Sequence, residues 1–259
     1  MDALIELDFV RLSWALMLMV VAIALSSWQK LGLTGDLAIA TARTIVQLLV
    51  VGYFLSAVFA LDNPWAVLLV LLIMLSVAAI TARNRISQKL PTLLPWVGGS
   101  IFISTALTLV YINFLVIQPE TWYSPQYVIP LAGIVLGNVM NAAAIAGERF
   151  VNTLNSSQVE IETHLSLGAT PQQAVAQHRK DAIRAGLIPT INSMMVVGIV
   201  KLPGIITGQI LSGVSPFNAS LYQILIMFML AFADLVVALF VVRGIYQRFF
   251  NSASQLVQH

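Results

Sequence analysis

Apolar residues run through this chain in blocks far longer than the core helix of a soluble protein needs, and that constrains the fold more than any other feature. Seven blocks are predominantly aliphatic and aromatic: about residues 9–28, 37–60, 64–82, 95–117, 127–148, 187–211 and 220–243. Roughly 18 or more apolar residues in succession suffice to cross a bilayer as a helix. Only 9% of the residues are charged and 59% are hydrophobic, whereas a soluble domain carries about 25% charged residues. There is too little polar surface to cover a water-exposed fold. The chain is expected to be all-α, a polytopic membrane protein with about seven transmembrane helices in a single domain over 1–259. A β-barrel would alternate polar and apolar residues with period two, and these blocks do not. The opening stretch MDALIELDF is acidic and no small-residue cleavage site follows the first block, so a retained first helix is expected rather than a signal peptide. The absence of cysteine excludes disulfides and thiolate metal sites. A net charge of +2 gives no reason to expect a nucleic-acid partner.

The basic residues set the orientation. Of thirteen Lys and Arg residues, ten lie in or beside segments that face one side when the N-terminus is outside: Lys30, Arg83, Arg85, Lys89, Arg149, Arg179, Lys180, Arg184, Arg243 and Arg248. Arg11 sits at an outer edge, and Arg43 and Lys201 fall inside spans. Asp2, Glu6, Asp8, Asp62 and Glu120 lie on the outer side, although acids weigh little in this rule. Lys and Arg concentrate in short cytoplasmic loops, so the expected topology is N-outside, C-inside.

One connection differs from the rest. Between the fifth and sixth spans, about residues 150–186, a polar but patterned stretch faces the cytoplasm. Thr170, Pro171 and Gln173 have the form of an N-cap, a proline at the first helical position and a capping-box partner. Ala174, Val175, Ala182 and Ile183 then supply a partly apolar stripe on a helix expected to end near Gly186. A first helix over about 156–167 precedes a turn at Gly168. The expectation is a cytoplasmic helical hairpin; an interfacial amphipathic hairpin with no partner is the competing explanation.

In ETHLSLGATP (162–171) Glu162 stands six residues before Gly168. That spacing resembles the E-A-A-x-x-x-G motif of ABC-transporter permeases, whose short coupling helices dock on an ATP-hydrolysing partner. The resemblance assigns ATPase coupling to Glu160, Glu162, Leu167, Gly168, Ala169, Thr170 and Pro171. The I-x-L-P ending of that motif is missing at its usual distance, since the next proline is Pro189. The chain has no G-x-x-x-x-G-K-[ST] phosphate loop, so ATP energy would have to come from another polypeptide.

The blocks ARTIVQLLVVGYFL (42–55), IPLAGIVLGNVMNA (129–142), LSLGATPQQA (165–174), AIRAGLIPTINS (182–193) and LPGIITGQILSGVSP (202–216) together resemble the FetB-type permeases, over about residues 9–250. These are membrane subunits of a bacterial ABC transporter assigned to iron export, and the plant aluminium-sensitivity membrane proteins are similar to them. The resemblance implies a permease of the bacterial inner membrane with a role in metal homeostasis. It also implies a homodimer served by two copies of a separate ATPase that holds ATP and Mg, with no cofactor on this chain and no catalysis by it. A non-metal solute such as a nucleotide sugar is the alternative cargo; a membrane scaffold that only docks a partner is the alternative class.

A charge at bilayer depth costs about 3 kcal/mol or more, so each polar residue inside a span needs a reason. With ~1.5 Å of rise per residue, Arg43 lies ~9 Å above the inner boundary, Asp234 ~14 Å and Lys201 ~21 Å. Depth therefore pairs Asp234 with Arg43, unless Arg43 and Lys201 snorkel to opposite interfaces. Gln47 shares a helix face with Arg43. Gly133, Gly137 and Asn141 recur every four residues, with Asn138 adjacent, which suits either close helix packing or a polar path. Asn192 adds an amide to the sixth span.

That span also carries IVKLPGIITGQILSG (199–213). Pro203 is expected to break the helix, with Gly204, Gly208 and Gly213 loosening the segment beyond it. Broken helices are tolerated at membrane depth only against protein or a wet cavity, and they mark substrate sites in secondary carriers. Lys201, Pro203, Gly204 and Gln209 are thus candidates for the translocation pathway together with Arg43, Gln47, Asn138, Asn141, Asn192 and Asp234. An ordinary proline kink is the competing explanation. No metal site is legible: His164, His178 and His259 match no ligand spacing, and methionines such as Met140, Met194, Met195, Met227 and Met229 more often fill gaps than bind metal.

Overall fold

The computed structural model describes residues 8–61, 63–87, 90–251 and 255–256. Asp2, Glu6, Asp62, Lys89 and His259 lie outside the described residues. Ten α-helices and no β-strand occur among the described residues: α1 (Phe9–Trp28), α2 (Thr34–Leu61), α3 (Pro64–Ile86), α4 (Leu94–Tyr111), α5 (Pro125–Ser156), α6 (Gln158–Ser166), α7 (Pro171–Ala174), α8 (Ala176–Val196), α9 (Gly204–Leu211) and α10 (Pro216–Phe249). Six of these are long and apolar enough to cross a membrane: α1, α2, α3, α4 with the π turn Ile112–Ile117 that prolongs it, α5 and α10.

Local chemistry sets the starts of several helices. Asn63 Oδ1 accepts the Trp65 N–H at 2.9 Å ahead of Pro64, the first residue of α3. Ser215 accepts from Asn218 N–H ahead of Pro216, the first residue of α10. In both, a side-chain acceptor satisfies an otherwise orphaned donor, and proline fills the position that needs none.

The chain divides into two compact units, Met1–Asp62 and Asn63–His259. In the first, α1 and α2 form a helical pair whose apolar side chains, Trp14, Leu18, Leu48 and Tyr53 among them, are nearly all exposed. Such a surface suits a lipid environment, where hydrocarbon tails are as apolar as leucine.

The second unit is built around α5, which packs against α3, α4, α8 and α10. Its buried face runs Val135, Val139, Ala143, Ala146, Phe150 and Leu154, spaced at three and four residues as a single helix face requires. Contacts fix the directions. Gly133 faces Met74, and Gly147 faces both Ile86 and Ile245, so α3 and α5 run the same way. Ser104 Oγ donates to the Ala233 carbonyl at 2.6 Å, and Gly244 packs on Trp96, so α4 opposes α10. On the other flank, Arg179 stacks on the Tyr246 ring and Thr190 bonds Asp234, so α8 opposes α10 as well.

Small residues permit close approach, but not at every position their spacing suggests. A Cβ at Gly137 would meet nothing within 4 Å, whereas one at Gly186 would stand 2.9 Å from the Ala142 carbonyl oxygen and 3.0 Å from Ala146 Cβ. The tight seam is Ala142 and Ala146 of α5 against Gly186 of α8.

The sixth apolar block, 187–211, is not one continuous helix. Its first part belongs to α8, which begins at Ala176 in polar sequence and passes through Gly186 and Pro189 to Val196. The helix expected to end near Gly186 therefore does not stop there, because Gly186 is used for packing rather than as a terminus. After an irregular stretch, α9 supplies the rest.

Candidate functional site

At one end of the second unit, α5 continues well past the membrane-length part of its sequence. Its 32 residues span ~48 Å, against a hydrocarbon core of ~30 Å. There α6 folds back, its Ile161 buried, and α7 comes next with Ala174 and Val175 buried. Gly168 turns the chain at φ +91°, a left-handed conformation that residues with a Cβ adopt at a cost. The expected capping box is present: Gln173 N–H donates to Thr170 Oγ1 at 3.3 Å, and Thr170 N–H donates to Gln173 Oε1 at 2.9 Å. Glu160, Glu162 and Leu167 face outward, Leu167 at 80% exposure. Gln158 Nε2 donates to Glu162 Oε1 at 2.7 Å. The result is a packed foot with a bare leucine at its turn.

From α7 the chain passes through Val175 directly into α8, whose 21 residues reach ~31 Å to the opposite end of the unit. There the helix breaks, not at Pro203 but at Val197 and Gly198. Val197 is extended and Gly198 takes φ +81°. The chain closes on itself as Gly198 N–H donates to the Lys201 carbonyl at 3.0 Å and Lys201 N–H to the Val196 carbonyl at 3.2 Å. Pro203 instead starts α9, sitting extended at its N-cap. Gly204 and Gly208 are helical within α9, and Gly213, at φ +88°, comes after its end.

Beside this break lies a cavity of about 380 Å³, walled by Met194 of α8, Gly198 and Pro203 of the break, and Ser220, Gln223 and Met227 of α10. Gln223 is 4% exposed, and neither its Oε1 nor its Nε2 has a hydrogen-bond partner among the described residues. Burying an unpaired amide is costly, so this side chain is the most conspicuous polar feature of the wall. A larger cavity of about 710 Å³ between α3, α4 and α5 is walled almost wholly by leucine, valine and aromatic side chains and offers little to a polar solute.

Three turns along the same face of α10 from Gln223 comes Asp234, 1% exposed. Eleven residues at 100° each return to nearly the same direction, ~16 Å further along. Asp234 Oδ2 accepts from Thr190 Oγ1 at 2.5 Å, while Oδ1 has no partner among the described residues. Thr190 and Met194 share a face of α8, so the α8–α10 seam links the cavity to Asp234.

The other candidates disperse. Asn138 Nδ2 donates back to the Ile134 carbonyl of its own helix at 2.9 Å. Asn141 Oδ1 accepts from Arg85 Nη1 at 2.9 Å, tying α5 to α3. Asn192 and Lys201 are exposed, and Gln209 is half-buried with an unpartnered Oε1. Arg43 and Gln47 are exposed on α2 of the first unit. Sequence reasoning missed Gln223, Thr190 and Ser220. Gln223 had a signal, as the sole amide within the apolar run YQILIMFML (222–230); Thr190 and Ser220 had none, because hydroxyls in membrane helices usually bond their own backbone.

Residues 9–250 match the model of a family described as "Uncharacterised protein family (UPF0014)". A UPF0014 membrane protein of Synechocystis is 55% identical over 98% of each chain. The protein named "Probable iron export permease protein FetB" of Escherichia coli is 37% identical over 95% of this chain and 93% of its own. The Arabidopsis thaliana protein named "ALUMINUM SENSITIVE 3" is 34% identical over 95% of this chain and 88% of its own. No solved structure matches.

Proposed function

The chain belongs to the UPF0014 family of membrane proteins, and from that premise we propose that it is the permease subunit of an ATP-driven exporter of iron or an iron-containing solute. ATP and Mg reside on a separate ABC-type ATPase, two copies of which serve a permease homodimer in the bacterial inner membrane. The observation that carries the reading is α8. One helix joins the foot at its N-terminal end to the cavity at its C-terminal end, with no loop between them to absorb motion. A displacement of the foot by a bound ATPase would therefore reach the break at Gly198 as a rigid-body shift of α8 along the α10 seam. Opposing helix directions in a packed layer support seven crossings, with α8 and α9 together making the sixth. Such a topology gathers Arg83, Arg85, Arg149, Arg179, Lys180, Arg184, Arg243 and Arg248 at the foot end, as the cytoplasmic excess of Lys and Arg requires. The iron assignment is supported by the name of the Escherichia coli relative.

The foot supplies the test. In lipid vesicles containing the chain and its ATPase, Leu167→Asp places a charge at an exposed apolar contact point without touching the core. Coupled ATP hydrolysis and iron efflux are expected to fall about tenfold or more, as for loss of an interface hot spot, with the thermal unfolding of the chain unchanged. Full coupling in the variant would remove the foot as the point of contact.

A further inference from the structure

We propose that the cavity beside the Gly198 break binds an uncharged solute, one with an apolar body and an adjoining hydrogen-bond donor and acceptor. Iron would then enter it only inside an electroneutral chelate. This rests on the reading of the chain as a permease whose route passes the cavity.

The Gln223 amide argues for the donor–acceptor edge. Its Oε1 and Nε2 are both buried and unpartnered on the cavity wall, and a primary amide seeks both an N–H or O–H and an oxygen. A bare cation would satisfy Oε1 and leave the amide N–H groups unmet; a bare anion would do the reverse. Only a ligand presenting both groups side by side meets the amide in full.

The rest of the wall argues for electroneutrality. Among the described residues, no Asp, Glu, His, Lys or Arg lines it. The Ser220 hydroxyl already donates to the Pro216 carbonyl at 2.8 Å, and the exposed Lys201 is not on the wall. A hard divalent ion would surrender its water without gaining the ring of oxygen ligands it needs, and an unpaired charge in apolar surroundings is heavily penalised. Met194 and Met227 supply adaptable apolar walls that fit the body of an organic ligand. They are also soft-metal donors, which makes a monovalent soft cation the chief rival; it would still leave the Gln223 N–H groups bare. A volume of about 380 Å³ lies within the roughly 300–1,000 Å³ of small-molecule sites.

The experiment measures equilibrium binding to the full chain in lipid nanodiscs. Three radiolabelled probes are used: tris(acetohydroxamato)iron(III), which is uncharged and carries N–H groups beside its oxygens, Fe²⁺ and Ag⁺. The chelate is expected to bind saturably and to be displaced by neither ion. Gln223→Met keeps the length of the side chain and removes the amide, and should weaken chelate binding about tenfold, the scale of one well-made hydrogen bond. If that variant does not fold, the ranking of probes on the natural chain decides alone. Absence of chelate binding, unchanged affinity in Gln223→Met, or preferred uptake of Fe²⁺ or Ag⁺ would each overturn the proposal. Binding is read without the ATPase. Coupling through the foot with no chelate binding therefore sinks only this inference, and chelate binding without coupling sinks only the permease reading.

Discussion

Thr190 and Asp234 are the clearest case of one side chain depending on another. Asp234 is short and fully buried, and its only hydrogen bond among the described residues comes from Thr190. Thr190→Val keeps the shape and removes the donor, so it should destabilise the chain by about 1–3 kcal/mol, the cost of a buried group left unsatisfied. Asp234→Asn, which can still accept from Thr190, should cost less. Thermal unfolding in detergent would rank the two, and equal losses would show that the bond contributes nothing. Glycines give a second contrast. Gly186→Ala must displace the Ala142 carbonyl or the Ala146 side chain and should cost about 1–3 kcal/mol. Gly137→Ala meets nothing within 4 Å and should be neutral or slightly stabilising, since alanine is about 1 kcal/mol better than glycine within a helix. The Gly133–Gly137–Asn141 spacing in the sequence could not separate these cases, because periodicity names a face but not what lies opposite it.

At the level of elements, most of the helical framework was readable. Apolar runs gave α1 to α4 to within a few residues, since length and hydropathy alone decide whether a segment can span, whereas α5 and α10 run on past the expected 148 and 243 to Ser156 and Phe249 in more polar sequence. The capping box at Thr170 and Gln173 was equally legible, because it depends on residues three apart. Thr170→Ala should lose about 1 kcal/mol of local stability, visible as faster hydrogen exchange at the α7 amides with the spanning helices unaffected. What could not be read was the position of the break. Pro203 is the obvious helix-breaker, yet proline is tolerated at the start of a helix, and there it begins α9. The break fell to Gly198, one of many small residues in the run, whose positive φ depends on the hydrogen bonds of the turn around it. The cavity was illegible for a similar reason: its wall joins Met194 to Gln223 and Met227 across a connection whose geometry no local pattern specifies.

For the whole molecule, the natural lack of cysteine makes the topology directly measurable. Ser166→Cys in the foot and Ser212→Cys beyond α9 are both exposed positions. In intact cells an impermeant maleimide should label the second and not the first, and permeabilisation should expose the first. Labelling of both from outside would invert the foot and end the proposed contact with a cytoplasmic ATPase. The uninterrupted run of α8 from foot to cavity has a consequence for energy conversion. Under the proposed coupling such a transmission has no clutch: with the foot engaged, the engine could not idle while the freight stands still unless the hinge at Gly198 slipped. Wasted fuel and lost cargo should therefore part company only in hinge variants. Loosening that turn, as Val197→Gly would, should leave ATP turnover running while export stalls, uncoupling the two from the side of the membrane opposite the fuel.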